Sequence, residues 1–209
     1  GCGGIANRHI AGYRMVAHDL GEVVAGCDPN EKTLHGYCDK YDIPNRFSNV
    51  ADMIASGEVD IISLLTPPAV RHEVIFPAIE KGIHLLVEKP FGESLADAVS
   101  FVEAAEKAGV TLAANHQMDF MKDVVAIREV IASGDIGDVR YVSHDQFQRR
   151  IQVRGWRSEE KRLEISIFSI HLLDRIRMLA GSPPERVSAV MRSWNPDVKG
   201  ETCTSLTVQ

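Results

Sequence analysis

Six residues at the start of the chain, Gly1-Cys2-Gly3-Gly4-Ile5-Ala6, spell G-x-G-x-x-A and lead straight into a pattern with helical spacing. A dinucleotide pyrophosphate fits such a turn. Gly1 permits a tight bend, Gly3 lets a phosphate approach the backbone with no Cβ in the way, and Ala6 is small enough for a helix to lie close on a sheet. The first N–H groups of that helix lack intrahelical partners and face the anion, and the helix dipole adds attraction. Gly4 and Ile5 complete the turn and are counted with the cofactor contacts. The run from Glu22 to Asp28 reads as a short buried strand ending in an acid, 22 residues beyond Ala6. The fingerprint puts its ribose-binding carboxylate at about that distance. Asp28 therefore favours NAD over NADP, because a carboxylate there repels a second phosphate and no arginine directly follows it. Glycine-rich turns before helices also arise by chance, so the reading leans on the acid at the right spacing.

A strand should precede the fingerprint, yet the sequence opens on the fingerprint itself, and Glu201 to Gln209 stops inside what reads as another strand. The chain is expected to be part of a longer protein. Its 209 residues, 44% hydrophobic and 25% charged, suffice for one large or two small domains with a real core. A formal net charge of −6 disfavours nucleic acid as a partner. No apolar run is long enough for a membrane-spanning helix. Cys2, Cys27, Cys38 and Cys203 show neither C-x-x-C spacing nor a histidine at metal-ligand intervals, which reads as the reduced thiols of a cytoplasmic enzyme without a bound metal.

The elements that must position the site follow from periodicity. Ile5 to about Leu20 has one apolar helical face. After the strand ending at Asp28, residues 29–41 read as a polar surface helix stopped by Ile43-Pro44, and residues 48–57 as a short capped helix. Val59 to Leu65 is a continuous apolar run suited to a parallel strand covered on both faces. Thr66-Pro67-Pro68 stops it, since neither proline donates to a ladder. That turn falls at the carboxyl edge of the sheet, where open α/β folds bind ligands. A helix over 70–81, a strand over 84–88 broken at Lys89-Pro90, a helix over 94–108 and a strand over 110–115 continue a doubly wound alternation. Beyond Gln117 the pattern changes to a helix over 122–133, an alternating strand over 139–148, a helix over 169–180 and strands over 186–193 and 204–209. The expected architecture is α/β: a Rossmann domain with a parallel sheet over residues 1–117, then an α+β domain over 118–209 with a largely antiparallel open sheet.

Six strings in order carry a resemblance: Gly1 to Ala6, Thr66-Pro67-Pro68-Ala69-Val70-Arg71-His72, Gly82 to Pro90 with its Glu88-Lys89-Pro90, Gly134-Asp135-Ile136-Gly137, Trp156-Arg157, and His171-Leu172-Leu173-Asp174. Together they resemble the Gfo/Idh/MocA family of sugar and polyol oxidoreductases over nearly the whole chain. The resemblance implies an NAD(P)-binding Rossmann domain followed by a domain whose open sheet builds the substrate pocket and often a subunit interface, in a homodimer or homotetramer. It makes Lys89 and His171 the reactive pair. Thr66, Pro67, Glu88 and Gln117 would line the cofactor cleft, and Trp156 and Arg157 would close over the nicotinamide or substrate. His72 is counted with the cleft residues, although its place at a helix start also suits a structural role. Asp174, with Lys89 and His171, is expected near the substrate or as a cap or orienting group.

The chemistry itself explains that pair. A carbinol carbon that loses a hydride needs a base to take its hydroxyl proton, and that base must titrate near neutrality. Histidine does so untuned, so His171 is assigned as general base. Lys89, as a charged donor, would stabilise the developing alkoxide. Bland readings stand beside these: Lys89 as a solvated strand-end lysine, and His171, among Ile167, Ile170, Leu172 and Leu173, as a hydrogen-bonded core residue. His9, His18, His35, His84, His116 and His144 show no constellation and read as surface or packing residues.

The chain also departs from the family. The acid many members carry four residues before the histidine is Ile167 here, and Glu164 is the candidate to replace it. Asp119-Phe120 stands where many relatives have Arg-Phe. The leading expectation is an NAD-dependent oxidoreductase acting on a secondary alcohol of a sugar, inositol or related polyol. An NAD-assisted lyase or glycosidase, and a non-catalytic dinucleotide or sugar sensor, are the alternatives.

Overall fold

Helix α1 (Ala6–Val16) begins directly behind the glycine turn, with Ala6 and Ile10 buried. The computed structural model describes residues 1–16, 21–148 and 152–209, so the end of the helix expected over 5–20, and with it His18, lies outside the described residues. Contacts divide the chain into two units, Gly1–Asn115 and His116–Gln209.

In the first unit, strand β1 (Ala25–Cys27) pairs in parallel with β2 (Asn45–Phe47), a three-residue strand that periodicity missed. Helix α2 (Glu31–Tyr41) lies between them in sequence. Asn30 caps its start by accepting from Thr33 N–H, and its end falls at Asp42, in the left-handed region at φ 53°, earlier than Ile43-Pro44. Ile43 then turns inward and is buried. The short helix α3 (Val50–Ala55) is capped by Asn49, and β3 (Ile61–Leu64), β4 (His84–Glu88) and β5 (Leu112–Asn115) form a parallel ladder in that order. Pro68–Val70 makes a 3₁₀ turn after β3, α4 (His72–Glu80) follows, and α5 (Leu95–Ala108) opens on a reciprocal Ser94–Asp97 capping box and closes on left-handed Gly109. Ile62, Leu64, Leu85 and Val87 of the strands pack with Ile75, Ala78 and Phe101 of the helices.

Gly26 decides how closely α2 lies on β1. A Cβ there would stand 2.6 Å from Cys38 Sγ and 3.4 Å from Cys2 Sγ, so the two buried thiols occupy the space that any other residue would need.

The second unit has a 3₁₀ turn (Gln117–Phe120), α6 (Lys122–Ser133), a short α7 (Trp156–Glu159), a π-helical turn (Glu164–Phe168), α8 (Ile170–Ala180) and an antiparallel pair, β6 (Val187–Arg192) with β7 (Cys203–Val208). The strand expected over 139–148 is corrected: no ladder includes these residues, and Tyr141 and Phe147 are 84% and 94% exposed. Alternation makes a strand only where a neighbour accepts its hydrogen bonds and covers one face. Among the described residues no helix is long and apolar enough to cross a membrane.

Gly26→Ala is expected to destabilise the protein by about 1–3 kcal/mol through overpacking. In a Cys38→Ala background the same substitution should cost less, because the colliding sulfur is gone. Urea unfolding of the four proteins measures both, and equal costs would disprove the close approach as the cause.

Candidate functional site

The fingerprint turn is held from below by Asp28. Its Oδ2 accepts from the Cys2 N–H at 2.9 Å and its Oδ1 from the Asn30 N–H at 2.9 Å, so one carboxylate ties the turn to the start of α2. A Cβ at Gly1 would stand 3.5 Å from the Leu65 carbonyl and from Thr66 Cγ2, so the turn lies beside the carboxyl end of β3. A Cβ at Gly3 or Gly4 would meet nothing within 4 Å, and among the described residues no group accepts from their N–H groups. These residues fit an anion lying across the start of α1. Burial pushes the Cys2 thiol up to about 11, so it is no thiolate nucleophile.

Register places Val87 beside Leu64, so Glu88 and Lys89 emerge beside Leu65 and Thr66. Lys89 is half-buried at this edge and precedes a cis bond to Pro90. Glu88, expected to line the cofactor cleft, is 7% exposed, and its carboxylate is already engaged. His9 Nε2 stands 3.0 Å from Oε1, Asn115 Nδ2 donates to the same oxygen, and the Lys89 N–H donates to Oε2 at 3.1 Å. Burial alone would raise the Glu88 carboxyl, but the hydrogen bonds from His9 and Asn115, with the charges of His9 and Lys89, bring it below the usual glutamate value. His9, read from sequence as a surface or packing residue, is thus central to the edge.

Arg71 was not singled out by sequence either. It is fully buried, its Nη2 donates to the Thr66 carbonyl at 3.3 Å, and burial lowers its guanidinium to about 10, against the opposing charge of Glu88. Its Nε and Nη1, like Thr66 Oγ1, have no protein partner among the described residues. Thr66 and Pro67 are half-buried in the turn after β3. His72 pairs with Asp97 at 3.2 Å and packs on Phe76 and Phe101, so its observed partners are a helix cap and the core, none of them fingerprint residues.

In the second unit His171 is 5% exposed near the start of α8, and its ring meets that of His116 edge to face at 5.4 Å between centroids. His116 Nδ1 stands 3.3 Å from Asp174 Oδ2, close but too poorly aligned to count as a hydrogen bond. Arg177 donates to Asp174 Oδ1 at 3.0 Å. The Asp119 and Asp174 carboxyls perturb each other through a hydrogen bond and through charge. Burial, that bond and the charge of Asp174 push Asp119 up to about 6, while His116 and Arg175 pull against the rise. Asp174 goes the other way: burial raises it, and the bonds from Asp119 and Arg177 with the charges of His116 and Arg177 bring it below the usual aspartate range. These partners suit an orienting role for Asp174.

Glu164, the candidate to replace an acid at position 167, opens a π-helical turn: the Ser169 N–H donates five residues back, to the Glu164 carbonyl at 2.6 Å. Ile167 is buried with Leu163 and Val198, and Glu164 Oε1 accepts from Ser169 Oγ at 3.0 Å. The acid that caps this segment is Glu201, unpredicted and buried, which accepts from the N–H groups of Leu163 at 3.0 Å and Ile165 at 2.8 Å. Trp156 packs against the same apolar cluster, with Arg157 stacked 4.9 Å above its ring, and Gln117 is exposed.

A family model described as "Oxidoreductase family, NAD-binding Rossmann fold" matches residues 1–116, and the corresponding C-terminal domain model matches residues 124–209. The chain belongs to the Gfo/Idh/MocA family. A D-apiose dehydrogenase from Paraburkholderia graminis is 25% identical over 209 residues, which are 99% of this chain and 55% of that protein. A D-glucoside 3-dehydrogenase from Escherichia coli is 28% identical over 188 residues, 88% of this chain and 53% of that protein. The chain therefore spans about half the length of these Gfo/Idh/MocA relatives. The crystal structure of the WlbA dehydrogenase from Bordetella pertussis, in complex with NADH and UDP-GlcNAcA, superposes with a TM-score of 0.92 at 25% identity, covering 100% of this chain and 66% of that one.

The Asp119 value gives a pH test. A carboxyl raised in the folded state contributes stability that is fully present below its unfolded value, 3.8, and is lost as pH rises through about 6. The urea midpoint of the wild type is expected to fall more between pH 5 and pH 7 than that of Asp119→Asn, which cannot lose the proton. Identical pH dependence in the two would disprove the assignment.

Proposed function

We propose that the protein is an NAD-dependent oxidoreductase that moves a hydride between nicotinamide and a secondary alcohol of a sugar, inositol or related polyol. The observation that carries the reading is the shared edge in the first unit. There the Asp28-anchored fingerprint turn lies beside Leu65 and Thr66, and Lys89 leaves the neighbouring strand next to them. The named relatives, a D-apiose dehydrogenase and a D-glucoside 3-dehydrogenase, support a sugar alcohol as the substrate class.

Gly1, Gly3, Gly4, Ile5 and Ala6 would hold the pyrophosphate through backbone N–H groups, and Asp28 the ribose. NAD, when bound, supplies the hydride acceptor. The His171 imidazole takes the hydroxyl proton at a ring nitrogen, so that the carbonyl is never left protonated. Lys89 donates from Nζ to the same oxygen and stabilises the charge that grows there. Thr66, Pro67, Gln117, Trp156 and Arg157 complete the proposed lining.

His171→Ala and Lys89→Met are each expected to lower kcat by about 10²–10⁴-fold while the Kd for NAD changes little. The His171→Ala profile should also lose the acid-side decline that a histidine base imposes. Stopped-flow detection of NADH across a panel of sugars and polyols, together with calorimetric titration of NAD, measures these effects. Unchanged kcat in either variant, or NAD binding without NADH formation on every polyol, would count against the reading.

A further inference from the structure

The first unit contains a buried polar chain that the proposed reaction leaves unused. Tyr13 Oη, on the second turn of α1, bonds with Ser63 Oγ of β3 and with His9 Nδ1 at 3.0 Å. His9 Nε2 continues to Glu88 Oε1 at 3.0 Å, where Asn115 Nδ2 also donates, and the other Glu88 oxygen holds the Lys89 N–H. Both the His9 and Glu88 side chains are 9% exposed. A Glu88 carboxylate can only accept, so His9 carries a proton on Nε2 in this bond. Nδ1 then accepts from the tyrosine hydroxyl in a neutral ring or donates to it in an imidazolium, and the Tyr13–Ser63 bond runs in the matching direction, so the series holds together in either protonation state.

The position of the series matters as much as its chemistry. His9 lies one turn into the helix whose first residues form the phosphate turn, whereas Glu88 directly precedes the lysine proposed to meet the substrate oxygen. Apolar packing of α1 on the sheet would tolerate small rotations and slides. A directional bond between two nearly buried side chains does not, because a shift strips one of the few donors that replace the carboxylate's hydration. We propose that His9 is a positioning residue: through Glu88 it fixes the backbone of Lys89 relative to the dinucleotide turn, so that an anion bound at the start of α1 and the ammonium at the end of β4 keep one spacing. The inference rests on the function proposed for Lys89, and it adds a residue to that site that touches neither cofactor nor substrate.

Three variants and one binding measurement test it. His9→Leu removes both bonds, Tyr13→Phe removes only the support of the ring, and His9→Gln restores a donor directed at Glu88. His9→Leu should bind NAD within about threefold of the wild type, because the phosphate turn is untouched, and lose at least about tenfold in kcat with little change in KM. Tyr13→Phe should show the same split more weakly, and His9→Gln should recover part of the loss. Adding Glu88→Gln to His9→Leu should cost less than the sum of the two single losses, since the His9–Glu88 contact is common to both. Independently of turnover, the Lys89 amide resonance should shift when NAD is added to the wild type, and that shift should shrink in His9→Leu, or in Tyr13→Phe should the leucine variant not fold. A wild type without dehydrogenase activity would defeat the function proposed above while leaving this coupling measurable. An NAD-induced Lys89 shift unaltered in the folded variants, or losses of kcat that merely follow losses of thermal stability, would overturn the positioning role.

Discussion

A buried carboxylate has few ways to exist, and Glu88 uses a demanding one. Removing a charge from water costs several kcal/mol unless donors replace the lost hydration. Here the donors arrive from α1, β5 and the backbone of the following residue. Each of these elements is therefore bound to a common point, and the carboxyl edge of the sheet inherits its geometry from it. The phosphate turn, the end of β3 and the proposed catalytic lysine all lie along that edge. Asp28 makes a smaller version of the same arrangement, each oxygen accepting one N–H, from the fingerprint turn and from the start of α2, with a lone pair left on each.

The second unit solves a similar problem with different means. Two carboxyls in contact cannot both carry charge cheaply, and Asp119 and Asp174 respond by moving their proton affinities apart. Arg177 and His116 stand beside the member that keeps its charge, and His116 in turn lies against the His171 ring. Behind it, Glu201 caps the π-turn that leads into α8, and Gly200 is the residue that permits this, because a side chain there would strike the Glu160 carbonyl and Leu163. Ile167, inside that π turn, is buried in an apolar cluster with Leu163 and Val198.

Local chemistry determined much of this protein. Helix limits followed from caps and breakers, as at Ser94 with Asp97 and at Gly109, and β4 and α6 fall where apolar periodicity places them. The fingerprint and its distant acid were legible because their spacing is set by backbone geometry, and the match to an oxidoreductase family agrees with that reading. Tertiary structure alone decided the rest. Whether residues 139–148 form a strand depends on a ladder partner, and whether α8 is preceded by an α or a π turn depends on a glutamate more than thirty residues away. His9, Asn115 and Glu88 are 79 and 27 residues apart in pairs, and nothing near any of them announces the others. Short-range periodicity and steric preference are written along the chain; the pairing of buried charges is a property of positions in space, and it exists only once the fold has brought them together.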